Sequence, residues 1–142
     1  MTETDIITHV VLVTAVVKKG NKYLVARRSK NDPQSPLVWT FPGGKVEMNM
    51  GKDILEDTLK REIMEEVGLE IKNTKLIANW GFIRVSGHHV INLIYVCDYL
   101  KGIAKPLEDQ EEIKWGTLKE LKSLNDKEYY QEVIKGLERY VN

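Results

Sequence analysis

Three glutamates in one short run carry the strongest chemical signal in this sequence. Glu62, Glu65 and Glu66 have the spacing i, i+3 and i+4. Each residue of a helix turns by about 100°, so the three carboxylates would lie on one side of a helix. Like charges at these spacings repel by about a few tenths of a kcal/mol per pair. A hard divalent cation, Mg²⁺ or Mn²⁺, would offset that repulsion through oxygen ligands, and it would suit chemistry on phosphates.

The neighbouring residues predict the helix that positions these carboxylates. It begins near Asp53, a typical N-cap residue, and Glu56 three positions later fits a capping box. It ends at Gly68, since glycine suits the left-handed position after a helix. The flank beside the acidic one is apolar at helical spacing, through Leu59, Ile63 and Val67. The helix should therefore bury one flank and present acid on the next.

Apolar runs on both sides of this helix predict a sheet. The runs at 10–17 and 22–27 are joined by a hairpin turn, and both carry apolar residues on two faces, as strands covered on both sides do. A Pro42-Gly43-Gly44 turn should stop the next strand, and Ser86-Gly87 marks a second hairpin. The predicted elements are strands at 10–17, 22–27 and 38–41, the acidic helix, strands at 75–85, 88–99 and 112–117, and helices at 118–124 and 128–141. This order favours an α/β or α+β fold with a mixed β-sheet between helices.

The bulk composition narrows the class of protein. A chain of 142 residues that is 42% hydrophobic fits a single domain over residues 1–142. The 21 basic and 21 acidic residues are interspersed, so no cationic stripe predicts binding to a polymeric nucleic acid. The apolar run at 10–17 is too short to span a membrane. Cys97 is expected to be a buried, inert thiol, and a lone cysteine suits a reducing compartment. We therefore expect a soluble cytoplasmic protein.

The glutamates belong to a longer pattern that resembles a known family. Residues 43–47 read Gly-Gly-Lys-Val-Glu, and residues 61–69 read Arg-Glu-Ile-Met-Glu-Glu-Val-Gly-Leu. Together they resemble the Nudix box, G-x5-E-x7-R-E-U-x-E-E-x-G-U, in which U is an apolar residue. The second half matches at every specified position. The segment at 39–42, Trp-Thr-Phe-Pro, is similar to the one that usually leads into the box.

The first half of the box departs from the family pattern. Eight residues instead of five separate Gly44 from the position eight before Arg61, and Asp53 occupies that position where the family has glutamate. The simplest placement of the three extra residues is within Met48-Asn49-Met50. Because Asp53 can still cap a helix, the helix and its acidic face are expected to be intact. The loop near the metal is expected to differ.

The resemblance implies a Nudix fold and a hydrolase of the MutT-like type. Glu62, Glu65 and Glu66 would bind Mg²⁺ or Mn²⁺, with a backbone carbonyl of Gly43 or Gly44 completing the shell. Water would attack a phosphorus atom of a nucleoside diphosphate linked to another group. Arg61 would orient a glutamate of the same helix through a charge-assisted hydrogen bond. The resemblance also makes a homodimer plausible.

Several residues outside the helix are candidates for further roles. Arg28, Trp39 and Lys45 are the predicted substrate-binding residues, although an arginine at the end of a strand could equally be a surface charge. Relatives often place another glutamate downstream as base or metal ligand, and Glu112 is favoured here over Glu111. Other residues fit either a nucleotide contact or an ordinary structural place: Glu47, Trp80, Phe82, His88 and His89.

The sequence leaves the substrate open. A nucleoside triphosphate, including an oxidised one, is the first expectation, because the chain is short and shows no further recognition domain. ADP-ribose or a nucleotide sugar is the alternative within catalysis. A nucleotide-sensing module without turnover is the alternative outside it, although such a module would often have lost glutamates of the box. An isoprenoid isomerase would be expected to show a cysteine near the site, whereas Cys97 lies far downstream.

Overall fold

The computed structural model describes residues 6–47 and 51–142. Within these ranges it contains seven strands and three helices, in the predicted order except for one additional short strand before the first helix. The strands are β1 (Val10–Lys19), β2 (Lys22–Arg28), β3 (Trp39–Thr40), β4 (Gly43–Lys45), β5 (Glu70–Ile83), β6 (His89–Lys101) and β7 (Gln110–Gly116). The helices are α1 (Ile54–Val67), α2 (Leu118–Leu121) and α3 (Glu128–Val141).

The strands form one mixed sheet, as predicted. Its main order is β3-β2-β1-β6-β5, with β4 joined to β1 and β7 joined to β2. The β1–β6 pair is parallel and the other pairs are antiparallel. β1 and β2 pair only beside their hairpin, at Lys18↔Tyr23 and Lys19↔Lys22. Beyond that point β4 pairs with β1, at Leu12, Val13 and Thr14.

Helices cover both faces of this sheet, which confirms the predicted sandwich. The core between the sheet and α1 contains Val13, Ala15, Val17, Leu24, Ala26, Leu59, Ile63, Val67 and Tyr95. The core between the sheet and α3 contains Val16, Tyr23, Val25, Phe41, Ile94, Val96, Tyr130, Val133, Ile134 and Leu137. Successive strand residues contribute to opposite cores because side chains alternate across a sheet. This alternation explains why the strands are apolar on two faces.

Two local predictions at the ends of α1 had different outcomes. Gly68 ends the helix in the left-handed conformation, with φ of 72°, as predicted. Asp53 precedes the first helical residue, but its side chain caps nothing, so the predicted capping box is wrong. Its backbone is itself left-handed, with φ of 58°, whereas an N-cap side chain reaches the helix from an extended backbone. The structure instead has a capping box at α2, between Thr117 and Glu120.

The Gly43-Gly44 segment also differs from its prediction. It is part of strand β4 and not a turn, because Gly43 pairs with Thr14 and Gly44 with Val13. The second hairpin is confirmed, since the Gly87 N–H donates to the Arg84 carbonyl at 2.8 Å. The three-residue insertion at Met48-Asn49-Met50 lies outside the described residues.

Two further expectations concern Cys97 and the membrane. Cys97 is buried in β6, and burial together with the nearby Asp98 raises the pKa of its thiol to about 12, which matches an inert cysteine. No helix in the described part of the chain is long and apolar enough to cross a membrane.

Candidate active site

The acidic flank of α1 lies beside the flank that anchors the helix. Leu59, Ile63 and Val67 are fully buried against the sheet. The Glu62 side chain is only 14% exposed, whereas Glu65 is exposed. Arg61 Nη2 lies 3.5 Å from Glu62 Oε1, so the arginine contacts a glutamate of its own helix as expected. Packing of the apolar flank therefore fixes where the carboxylates lie.

Strand β4 supplies the wall opposite these carboxylates. The Gly43 N–H donates to Glu66 Oε2 at 3.2 Å. The α-carbon of Gly44 lies directly against the Glu62 side chain, since a β-carbon built there would be 2.6 Å from Glu62 Oε2. A β-carbon on Gly43 would instead meet the backbone of β1, at 2.9 Å from the Thr14 α-carbon. Glycine is therefore required at both positions, because a β-carbon would clash with strand β1 at Gly43 and with Glu62 at Gly44.

This difference gives a paired prediction. Gly44→Ala should leave stability nearly unchanged, because a flexible side chain can move aside, but it should displace Glu62 and lower kcat by on the order of 100-fold. Gly43→Ala should cost about 1–3 kcal/mol of folding free energy, because backbone must move. Thermal denaturation and steady-state rates of both variants test this. Equal stability losses, or a fully active Gly44→Ala, would contradict the assignment.

The segment between β6 and β7 closes the far end of the site. The Lys105 N–H donates to the Val67 carbonyl at 3.1 Å, and the Leu107 N–H donates to the Glu66 carbonyl at 3.0 Å. These bonds satisfy carbonyls that the end of a helix otherwise leaves unpaired. They also bring Glu108 near Glu62 and Glu66, where its charge adds to burial, the main cause, in raising the pKa of both carboxyls.

Glu108 is a site residue that the sequence does not single out. It stands in the acidic stretch at 108–112, where nothing in residue type separates it from Glu111 or Glu112. Its left-handed backbone, with φ of 49°, and the docking of its loop on α1 are properties of the tertiary structure. Glu47, which follows β4, adds to the rise that burial and Glu65 cause in the pKa of Glu62.

Glu112, the predicted additional base or ligand, lies elsewhere. It forms an ion pair with Arg27, with Oε1 3.0 Å from Nη1, across the β2–β7 pair. Ile113 and Trp115, which have odd numbers and so share one face of β7, pack on the α1 side of the sheet. Alternation therefore directs Glu112 to the other side. The structure therefore does not bring Glu112 to the helix glutamates. Glu111 Oε1 accepts a hydrogen bond from the Lys30 N–H at 3.2 Å.

Arg28, by contrast, lies close to the site, because the N–H of the next residue, Ser29, donates to the carbonyl of Asp109, which follows Glu108, at 2.8 Å. Arg28 is the last residue of β2, and its positive charge partly offsets the rise that burial causes in the pKa of Glu66. Its guanidinium also pairs with Asp32, with Nη1 3.4 Å from Oδ2. A cation thus stands at the edge of a cluster of carboxylates, where a phosphate group could meet it.

The remaining candidates are dispersed. Lys45 is exposed at the end of β4. Trp39 is half-buried against the core on the α3 side, and its carbonyl accepts from Asn125 at 2.8 Å. Trp80 and Phe82 are half-buried and stack on each other with ring centroids 4.8 Å apart. His88 and His89 are both exposed.

Burial and mutual repulsion dominate the electrostatics of these carboxylates. Burial, followed by the charges of Glu62 and Glu108, raises the pKa of Glu66 to about 7, although the Gly43 N–H and Arg28 oppose the shift. Burial and then Glu65 raise the pKa of Glu62, with Arg61 acting against them. Each carboxylate therefore destabilises the charged form of its neighbours.

These shifts predict how stability depends on pH when no metal is present. The unfolded chain loses the Glu66 proton near pH 4.5, whereas the folded protein holds it to about pH 7. Stability should therefore fall as pH rises from about 4.5 to 7, by at most about 3 kcal/mol. Denaturant unfolding in chelator at pH 5 and pH 8 measures this difference, and Glu66→Gln should reduce it. A metal-free protein that is more stable at pH 8 than at pH 5 would contradict the raised pKa of Glu66.

The donor set fits a hard divalent cation. Within residues 6–47 and 51–142, no three acidic, histidine or cysteine side chains stand as a ready-made metal cage. The available ligands, however, are carboxylate and backbone oxygens, which Mg²⁺ and Mn²⁺ prefer. A bound cation would also reverse the repulsion that raises the pKa values of Glu62 and Glu66.

Comparison with known proteins identifies the family. A sequence profile of the NUDIX domain matches residues 8–137. An ADP-ribose pyrophosphatase of Methanocaldococcus jannaschii is 31% identical over 133 residues, which cover 93% of this chain and 75% of that protein. An 8-oxo-dGTP diphosphatase of Buchnera aphidicola is 39% identical over 61 residues, which cover 43% of each chain.

The fold is also that of solved Nudix structures. The crystal structure of a MutT NUDIX hydrolase from Burkholderia pseudomallei superposes with a TM-score of 0.78 at 22% identity, over 92% of this chain and 98% of that one. At that identity the likeness shows the fold alone. With the match of the family profile over most of the chain, it follows that this protein belongs to the Nudix family and is a Nudix hydrolase.

Proposed function

We propose that this protein hydrolyses a diphosphate bond in a nucleotide-type small molecule, with Mg²⁺ or Mn²⁺ as cofactor. The observation that carries the proposal is the convergence of Glu62, Glu66 and Glu108 with Arg28 beside strand β4. Glu62, Glu65, Glu66 and a carbonyl of Gly43 or Gly44 would hold the cation. When bound, it would neutralise part of the diphosphate charge and make a water molecule easier to deprotonate.

The residues of the chain then have distinct roles. Arg28 binds a phosphate of the substrate at the edge of the cluster, by charge-assisted hydrogen bonds. Arg61 holds Glu62 in place from the solvent side. We assign to Glu108 the role expected of Glu112, because Glu108 acts on both Glu62 and Glu66 whereas Glu112 is paired with Arg27. Glu108 would accept a proton from the attacking water, or bind the metal.

The names of two relatives favour two different substrates. ADP-ribose is favoured by the relative that matches 93% of this chain, whose name states that it is an ADP-ribose pyrophosphatase. A nucleoside triphosphate, including an oxidised one, is favoured by the shorter match to an 8-oxo-dGTP diphosphatase. The exposed part of the Trp80–Phe82 stack could contact a base in either compound.

A panel of substrates tests the proposal. ADP-ribose, nucleotide sugars, the common nucleoside triphosphates and 8-oxo-dGTP are incubated with the protein and Mg²⁺ or Mn²⁺, and products are separated by chromatography. ADP-ribose should give AMP and ribose 5-phosphate, whereas a triphosphate should give a monophosphate and pyrophosphate. Tight binding of a compound without any hydrolysis would favour a sensing module instead.

A further inference from the structure

Asp32 is the centre of the loop that connects β2 to β3. Its Oδ1 accepts hydrogen bonds from the backbone N–H groups of Gln34 and Ser35, at 2.9 and 2.8 Å. Its Oδ2 faces Arg28 Nη1 at 3.4 Å. The Asp32 side chain is only 13% exposed. One carboxylate thus joins the loop backbone to the arginine that lies close to the active site.

The loop itself is fastened to the end of β2. The Arg28 N–H donates to the Val38 carbonyl at 2.9 Å, and the Leu37 N–H donates to the Arg28 carbonyl at 3.1 Å. The Asp32 N–H donates to the Ser29 carbonyl at 3.0 Å. Backbone hydrogen bonds therefore fix the position of Asp32 independently of its contact with Arg28.

The charge of Asp32 is also well maintained. Burial would raise the pKa of its carboxyl, but the N–H groups of Ser35 and Gln34, together with Arg28, outweigh burial and hold that pKa below its ordinary value. Asp32 is therefore ionised across the neutral range and remains a partner for the guanidinium.

Arg28 lies between two sources of negative charge. Asp32 holds one of its terminal nitrogens at 3.4 Å, while the charge of Glu66 attracts the guanidinium from the side of α1. An arginine side chain carries about 2 kcal/mol of rotamer entropy, so a free guanidinium would sample many positions. A guanidinium has five N–H donors, and a contact through Nη1 leaves the others able to bind a phosphate.

We infer that Asp32 is a positioning residue that orients Arg28 for the phosphate groups of the substrate and keeps it from collapsing onto the metal-binding carboxylates. This inference rests on the proposed function of Arg28. It concerns binding more than the chemical step, because Asp32 acts through another residue and does not touch the reacting atoms.

A double-mutant cycle tests this role. Asp32→Asn keeps an acceptor for the loop N–H groups and removes the charge opposite Arg28. It should raise KM about 10-fold, the scale at which supporting contacts around a site operate, and change kcat by less than about twofold. In an Arg28→Gln background, Asp32→Asn should add little, because its effect passes through the arginine.

The direction of the change in KM distinguishes this positioning role from a simple loss of charge. Losing a negative charge near the site would, by itself, strengthen the binding of an anionic substrate, so a higher KM requires the loss of Arg28 orientation. Two controls accompany the cycle. Ser29→Ala removes another hydrogen bond of the loop, to the Asn31 N–H. Glu132→Gln breaks an ion pair of the same 3.4 Å length, with Lys135 on α3. Both should leave KM unchanged.

Binding of the α,β-methylene analogue of ADP-ribose, measured by calorimetry on the same four proteins, separates the two claims. If wild type hydrolyses nothing on the panel but the analogue shows the Asp32–Arg28 coupling, the proposed function fails and the positioning role holds. Additive effects of the two substitutions, or an unchanged or lower KM in Asp32→Asn, would overturn the positioning role even in an active enzyme.

Discussion

Replacing Glu66 by glutamine is expected to lower kcat by about 10²- to 10⁴-fold without unfolding the protein. Glu66 accepts the Gly43 N–H, and the charges of Glu62, Glu108 and Arg28 all act on its carboxyl. Glutamine keeps the size and the acceptor for Gly43. It removes the negative charge that a cation and a developing phosphate charge both require.

The matched control for this variant is Glu56→Gln. Glu56 lies in the first turn of the same helix, outside the group of carboxylates that act on Glu66. It should retain wild-type turnover, with at most about 1 kcal/mol lost from its favourable interaction with the helix dipole. A similar loss of activity in both variants would indicate damage to α1 in general. Full activity in Glu66→Gln would remove Glu66 from the mechanism.

Removing divalent cations is expected to abolish turnover, and adding Mg²⁺ or Mn²⁺ in excess of the chelator should restore it. Without a cation, four carboxylates and one arginine would face a diphosphate that carries negative charge itself, so binding and attack would both be opposed. The fold should persist, because burial of Leu59, Ile63 and Val67 does not depend on the metal. Rates are followed with and without excess EDTA, and circular dichroism monitors the fold.

A control with Zn²⁺-saturated chelator excludes an effect of EDTA itself. Undiminished hydrolysis in excess chelator would contradict the assignment of Glu62, Glu65 and Glu66 as ligands. Loss of the folded state on chelation would show instead that the metal is structural, which the buried apolar flank of α1 does not require.

The parts of the site that were predictable are those fixed by local spacing. Glu62, Glu65 and Glu66 share a helix side because the helix repeat requires it, and Leu59, Ile63 and Val67 determine which flank turns to the sheet. The end of the helix at Gly68 follows from the conformational freedom of glycine. The alternation of core residues along β1 likewise predicts a sheet covered on both faces.

The parts that were not predictable depend on distant contacts. Gly43 and Gly44 look like a turn in the sequence, but pairing with β1 makes them a strand. Glu108 and Glu112 differ in position because the loop carrying Glu108 docks on the carbonyls of α1, whereas side chains alternate along β7 and Glu112 lies on the other face from Ile113 and Trp115. Asp53 has the residue type of an N-cap, but its left-handed backbone places its side chain away from that role.

If the acidic flank of α1 and strand β4 form a divalent metal site, the protein should bind Mn²⁺, and electron paramagnetic resonance measures that binding. Titration of the protein should reduce the signal of free Mn²⁺, and Mg²⁺ should compete. Binding should be weakened about 10-fold or more in Glu66→Gln and retained in Glu56→Gln. Equal Mn²⁺ affinity in wild type and Glu66→Gln, or no binding to wild type, would show that these residues do not form a metal site.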